Sequence, residues 1–364
     1  MLRLLAAALS LTAMSHAALA CTAVDIVAAD KSVIAGRTME WAFDMQWTLL
    51  SMPKGTSLTL PAPKGASPRT VTTSYAVVGI GAGIIPGMPL VEGQNEAGLS
   101  LSANFLPGFT QYQSVDAADA ANAVEILSFA KWLLGSFKDV ADAKAALPTA
   151  RVWTDPALPT GPTVPAMHFK LDDRSGGSII VEYVGGELKI YDDAAHVLTN
   201  APTYDWHLTN LRNYVNLTSV GTSSREYGDV DVTALGQGGG TIGLPGDYTP
   251  PSRFVRAAFM RHFVPQPKDA SEATQTITHI LNTVDIPIGV AQSKDGDTVV
   301  SDYTQWVSIK DLTQNRLTLA DYDHRTSYLT IDLAPLFASD KPMSKLVTAL
   351  PYPKGAIGAE ALAP

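Results

Sequence analysis

A single cysteine, Cys21, stands in a chain of 364 residues, so no internal disulfide can form and the fold must be held by its apolar core. With 46% hydrophobic residues the chain has the material for one, and its length suits one large α/β or α+β unit. The place of that cysteine is as informative as its number. It follows a stretch with the parts of a cleavable secretion signal: Arg3, then the apolar run Leu4 to Met14, then the small-x-small site Ala18-Leu19-Ala20. Residues 1–20 therefore read as a signal peptide and 21–364 as a single domain, in a periplasmic or secreted protein.

Cleavage behind Ala20 would leave Cys21 with a free α-amine. That amine titrates at about 7.7–8.0 and lies within reach of its own thiol, so nucleophile and general base would be one residue. The rival reading is a lipoprotein anchored through Cys21, whose acylated amine could not act as a base. Lipoprotein signals usually carry Leu three residues ahead of the cysteine, where this chain has Ala18. The net charge of −9 argues against nucleic acid and anionic membrane surfaces as partners. Beyond the leader no apolar run approaches the ~18–20 residues of a membrane span.

Thr22 to Ala29 and Ser32 to Met39 read as a hairpin that opens at the new terminus. Further strands are expected at Ser74 to Ile80, Leu99 to Phe105, Met167 to Leu171, Ser178 to Tyr183, Leu188 to Tyr191, Val197 to Thr199, Tyr303 to Ile309, Arg316 to Ala320 and Ser327 to Leu333. Apolar positions three and four apart predict helices at Asn122 to Leu134, Ser252 to Phe263 and Ala270 to Val284. This order fits a layered protein with largely antiparallel sheets rather than regular βαβ units.

Several motifs fail. Gly79-Ile80-Gly81-Ala82-Gly83 lacks the third glycine of a dinucleotide fingerprint and reads as a turn between strands. The histidines show no metal spacing, and no G-x-S-x-G elbow exists. What remains is a set of polar residues in apolar segments. Arg37 and Glu40 lie on the second strand of the hairpin, where the chain returns past its start. Arg37 would favour a thiolate, and the Glu40 carboxylate could hold the α-amine; ordinary ion pairing is the alternative for both. Asn104 and Asn200 each end a strand just before a turn, as plain turn residues or as oxyanion donors.

Cys21-Thr22, Gly36-Arg37-Thr38-Met39-Glu40-Trp41, Asn95-Glu96-Ala97-Gly98-Leu99 with Asn104-Phe105, Thr199 to Trp206, Gly243 to Tyr248 with Ser252-Arg253-Phe254, and Thr304-Gln305-Trp306 run in one order along the chain. As an ordered set they resemble the choloylglycine hydrolase family, the N-terminal-nucleophile amidases that include penicillin V acylases and bile salt hydrolases. The resemblance implies an α+β fold, a four-layer αββα sandwich of largely antiparallel sheets. It implies Cys21 as nucleophile with Arg37 beside its sulfur, the Asn104 backbone N–H and the Asn200 side-chain amide as oxyanion donors, and Arg253 as a second active-site arginine. Glu40 stands where bile salt hydrolases commonly carry Asp. Trp41, Trp47 and Phe105 fall close to these positions, as an aromatic acyl pocket or as core. The reaction implied is hydrolysis of a small-molecule N-acyl amide without metal or organic cofactor, in a possible homo-oligomer. Export favours penicillin V or N-acyl-homoserine lactones as substrates, with conjugated bile salts as the alternative.

Overall fold

The computed structural model describes residues 21–155 and 165–354. The leader read at 1–20 and the chain from 355 onward lie outside the described residues. The first half contains β1 (Cys21–Val27), β2 (Val33–Trp41), β3 (Thr48–Met52), β4 (Ser57–Leu60), β5 (Arg69–Thr72), β6 (Val77–Gly81), β7 (Leu90–Asn95), β8 (Leu99–Phe105) and β9 (Ala123–Glu125). Helices α1 (Ile126–Ser136) and α2 (Val140–Ala146) then lead to β10 (Arg151–Trp153), β11 (Met167–Asp173), β12 (Ser178–Val184), β13 (Glu187–Asp192) and β14 (Val197–Leu198). The second half runs α3 (Tyr204–Asn210), the exposed hairpin β15 (Ser224–Tyr227) and β16 (Val230–Thr233), α4 (Pro250–Phe263) and α5 (Ala270–Asn282). It closes with β17 (Ala291–Asp295), β18 (Thr298–Asp311), β19 (Arg316–Asp321), β20 (Leu329–Asp332), α6 (Ala334–Phe337) and β21 (Met343–Leu346).

Two antiparallel sheets form the centre. The first has the order β14-β1-β2-β18-β19-β20, with β17 also on β18, and the second β13-β12-β11-β8-β7-β6-β3-β21. Side chains alternate across a strand, and each sheet uses the alternation to bury both faces. In β8, Leu99, Leu101 and Ala103 join Phe129 and Leu133 of α1 in one core, while Ser102 and Asn104 point toward the other sheet, reaching Lys310 and the Leu198 carbonyl. In β1 and β2, Val24, Ile26 and Ile34 pack with Phe254 of α4 and Ile277 of α5. Cys21 and Met39 turn inward to Trp306, Val78 and Ile80. The layers are helix, sheet, sheet, helix, as the resemblance implies. Gly36 lets α5 sit this close, because a Cβ there would come within 2.4 Å of the Ile277 side chain.

Two local expectations are corrected. The helix predicted from Asn122 begins at Ile126; Ala123–Glu125 pairs in parallel with Arg151–Trp153, and the Glu125 side chain accepts from Leu127 N at 2.9 Å as the helix N-cap. Gly79 and Gly81 are not a turn but lie inside β6, with Gly79 opposite Gly93. A Cβ on Gly79 would meet the Glu92 carbonyl at 2.4 Å, so the glycine serves close strand approach rather than a bend.

Candidate active site

Register brings the first site residues together. Cys21 pairs with Met39 and Ala23 with Arg37 across the opening hairpin, so all four side chains face the space between the sheets. Cys21 is 1% exposed. Arg37 Nη2 donates to Cys21 Sγ at 3.3 Å and to the Ala103 carbonyl at 2.5 Å, and its Nη1 donates to the Val91 carbonyl at 2.7 Å. The guanidinium is thus tethered at two points to the facing sheet. Behind it lies a buried chain of charge: Glu92 Oε2 is 3.4 Å from Arg37 Nη1, and Glu92 Oε1 pairs with Lys310 and accepts from Ser308 at 3.1 Å. Farther along β1 the same interior holds Lys170 among Asp25, Asp172 and Asp193. Buried charges need such partners.

The Cys21 nitrogen donates to Asn200 Oδ1 at 2.5 Å. Arg253 Nη2 donates to the same oxygen at 2.8 Å, while its Nη1 donates to the Cys21 carbonyl and Thr22 Oγ1, both at 2.6 Å. Two donors on Oδ1 fix which way the Asn200 amide points. Its Nδ2 gives a hydrogen bond to the Phe105 carbonyl at 3.0 Å, its one partner among the described residues. The Asn104 side chain turns toward the first sheet, where Nδ2 donates to the carbonyls of Leu198 and Thr199 at 3.3 and 2.9 Å. On the backbone, Asn104 lies opposite His168 in the ladder between β8 and β11.

Glu40 does not meet the expectation that its carboxylate holds the Cys21 nitrogen. It is one residue beyond Met39, so it points to the opposite face of β2, toward α4. Its oxygens accept from Thr38 Oγ1 at 3.1 Å and Thr304 Oγ1 at 2.7 Å. A bulge at Gln305 makes the second contact possible: Thr304 lies opposite Glu40 and Trp306 opposite Met39, so the extra residue aims Thr304 and Trp306 to opposite faces. Burial pushes the Glu40 carboxyl up to about 7, against the pull of Arg253. Folded Glu40 therefore keeps its proton above its ordinary value of 4.5, and the stability this confers is full below that value and lost as pH rises through about 7. Thermal melts at pH 5 and pH 8 should show the wild type losing more stability on the rise than Glu40→Gln, by about 3 kcal/mol at most. An unchanged gap between the two proteins would contradict this.

The three aromatic residues separate. Trp47 belongs to the core: it is 8% exposed, its Nε1 donates to Gln305 Oε1 at 2.5 Å, and its ring meets Trp306 edge-on at 5.8 Å. Gln305 also donates to the carbonyls of Trp41 and Phe43 at 2.8 and 3.0 Å, fixing the segment after β2. Trp41 is half-buried and packs against Phe105 with centroids 5.7 Å apart and rings at 79°. Trp41, Met45 and Ile85 are partly buried and each packs on the core cluster that contains Cys21, and Phe43 and Ile84 are exposed. Trp41 and Phe105 thus form a half-buried apolar pair at the ends of β2 and β8, the strands that carry Arg37 and Asn104, while Trp47 lies in the core.

Sequence reasoning missed Glu92, Lys310 and the histidines His168 and His207, which meet the carbonyls of Thr199 and Asn200, and gave Thr304 and Gln305 no role beyond their place in the ordered set. The available signal was a charged residue inside an apolar strand, as in Leu90-Val91-Glu92 and Ile309-Lys310.

Comparison with known proteins bears on this geometry. The family model for linear amide C–N hydrolases of the choloylglycine hydrolase family matches residues 21–334. The chain is 31% identical over 291 residues to the bile salt hydrolase/transferase of Clostridium perfringens, covering 80% of this chain and 86% of that protein. It is 28% identical over 236 residues to the penicillin V acylase of Pectobacterium atrosepticum, covering 62% of this chain and 55% of that protein. Among solved structures, a variant of the conjugated bile acid hydrolase from Clostridium perfringens superposes with a TM-score of 0.78 at 29% identity, over 90% of this chain and 97% of that one. The penicillin V acylase from Agrobacterium tumefaciens has the same fold, with a TM-score of 0.70 at 23% identity over 89% and 90% of the two chains.

Proposed function

The chain belongs to the choloylglycine hydrolase family and is a linear amide C–N hydrolase, and from that premise we propose that it cleaves amides joining an apolar acyl group to a polar amine, with Cys21 as an N-terminal nucleophile. The observation that carries the reading is the meeting at one residue of Arg37 on the sulfur and Asn200 on the nitrogen, at 3.3 and 2.5 Å. Removal of the leader turns that nitrogen into an amine. The amine takes the thiol proton, the sulfur attacks the amide carbonyl, and Arg37 offsets the charge on the sulfur as it forms.

The tetrahedral oxyanion is met by the second hydrogen of the Asn200 side-chain amide and by the backbone N–H of Asn104 at the end of β8. Collapse breaks the C–N bond, and the ammonium of Cys21 gives its proton to the leaving amine. Water then adds to the thioester, releasing the acid and restoring the thiol. Arg253 holds Asn200 and the Cys21 carbonyl in place throughout.

For the acyl group we favour penicillin V or a long-chain N-acyl-homoserine lactone. The support is the half-buried Trp41 against Phe105, an aromatic pair on which an aromatic or alkyl body is buried at about 25 cal/mol per Å², together with the leader read in the sequence. A second reading, conjugated bile salts, is favoured by the names of the relatives in Clostridium perfringens. Side-by-side kinetics on penicillin V, a long-chain N-acyl-homoserine lactone, glycocholate and taurocholate decide between them. Higher kcat/KM on either of the first two is expected, with Trp41→Ala raising KM for the preferred one. A clear preference for a bile salt reverses the choice.

A further inference from the structure

The segment that carries Asn200 is held by its carbonyls. Those of Leu198 and Thr199 accept from Asn104 Nδ2, and Thr199 also accepts from His168 Nε2 at 3.0 Å. The Asn200 carbonyl itself accepts from His207 Nε2 at 2.9 Å. His207 lies in α3 and is fully buried. Its ring is stacked on Phe254, with centroids 4.6 Å apart and planes at 11°, and Phe254 is the residue after Arg253. His207 Nδ1 is buried and has no partner among the described residues. A proton there would be an unsatisfied donor, whereas on Nε2 it meets a carbonyl, so the Nε2–H tautomer is the one the site accepts. Burial pushes the imidazole down to about 4, which keeps it a neutral, single-hydrogen donor at neutral pH.

We infer that His207 is a positioning residue of the amidase site: its Nε2–H fixes the Asn200 carbonyl, and with it the plane from which the Asn200 side-chain amide is presented to the oxyanion. Asn200 is clamped on its side chain by Cys21 N, Arg253 and the Phe105 carbonyl, and on its backbone by His207. Without the backbone clamp the peptide after Asn200 is free to rotate and the amide swings with it. Oxyanion stabilisation depends on donors fixed before the charge develops, so such a loss falls on kcat and leaves substrate binding nearly untouched. The inference rests on Asn200 being an oxyanion donor.

The test uses the leaderless active chain with penicillin V, or with glycocholate if the substrate panel selects it, and normalises rates to titrated Cys21 thiols. His207→Phe keeps a flat ring on Phe254 and removes the donor. His207→Gln keeps a donor at a similar reach. The expected result is a kcat lower by about 10–100-fold in His207→Phe, with KM within about twofold and recovery in His207→Gln to within about fivefold of wild type. If the larger ring prevents folding, His207→Leu takes its place against His207→Gln. A donorless variant with wild-type kcat, or a Gln variant as slow as the donorless one, overturns the inference. Asn200→Ala is measured beside them. If it is slow while the donorless His207 variant is fast, only the role of His207 falls; if it keeps near wild-type kcat, the oxyanion reading falls and the inference with it.

Discussion

Cys21→Ala is expected to abolish amide turnover, with a loss on the order of 10⁶ in kcat, the scale found when a hydrolase loses its nucleophile and keeps only binding and oxyanion stabilisation. No neighbour can substitute. Thr22 faces the other side of β1, where its hydroxyl is held by Arg253, and Met39 offers a thioether that cannot form an acyl intermediate. Cys21→Ser keeps a nucleophile of the right reach but a weaker one, so slow turnover is expected there. The same mechanism makes the terminus itself a test. In a chain that keeps even one residue ahead of Cys21, the nitrogen that donates to Asn200 is an amide with no lone pair to take a proton. Such a chain should bind substrate and fail to turn it over, and intact mass of the active protein should begin at Cys21. Full activity with a blocked terminus would falsify the mechanism.

How much of this was legible in the sequence depended on how far apart the interacting residues lie. The strand Leu99–Phe105 was readable to the residue, because its alternation is local and one face packs on α1. Cys21 and Arg37 were readable as neighbours, since the short-turn hairpin pairs Cys21 with Met39 and sets Arg37, two residues before Met39, diagonally beside it on the same face. Glu40 was misplaced because adjacency in sequence is not adjacency in a strand: three residues from Arg37, it faces the opposite way. Its true partner, Thr304, is 264 residues away and depends on a bulge, a feature that alternation alone does not announce. Trp47 could not be divided from Trp41 by composition or spacing. Only the hydrogen bond to Gln305 and the contact with Trp306 place it in the core. The Glu92–Lys310 pair behind Arg37 likewise joins two strands of different sheets: each residue is a charge inside an apolar strand, but nothing local tells which charge it meets.

Asn200→Ala should lower kcat by about 10²–10³, the cost of losing one oxyanion donor. The prediction needs separating from a structural effect, since alanine also leaves Arg253 Nη2 and the Cys21 nitrogen without their shared acceptor, at a cost of about 1–3 kcal/mol for a buried donor. Asn200→Asp separates the two. An aspartate keeps an oxygen for Arg253 and for the Cys21 amine, so folding and the placement of both should survive better than in the alanine variant, as read by thermal melting. It cannot donate to the oxyanion, and its charge repels the negative charge that develops on the carbonyl oxygen. If Asn200 acts on the transition state, the aspartate variant melts higher than the alanine variant and yet is slower. If Asn200 serves only to anchor Arg253 and the terminus, restoring the acceptor restores the rate, and the aspartate variant is the faster of the two. The order of those two kcat values, measured at saturating substrate, decides which bond of Asn200 the chemistry uses.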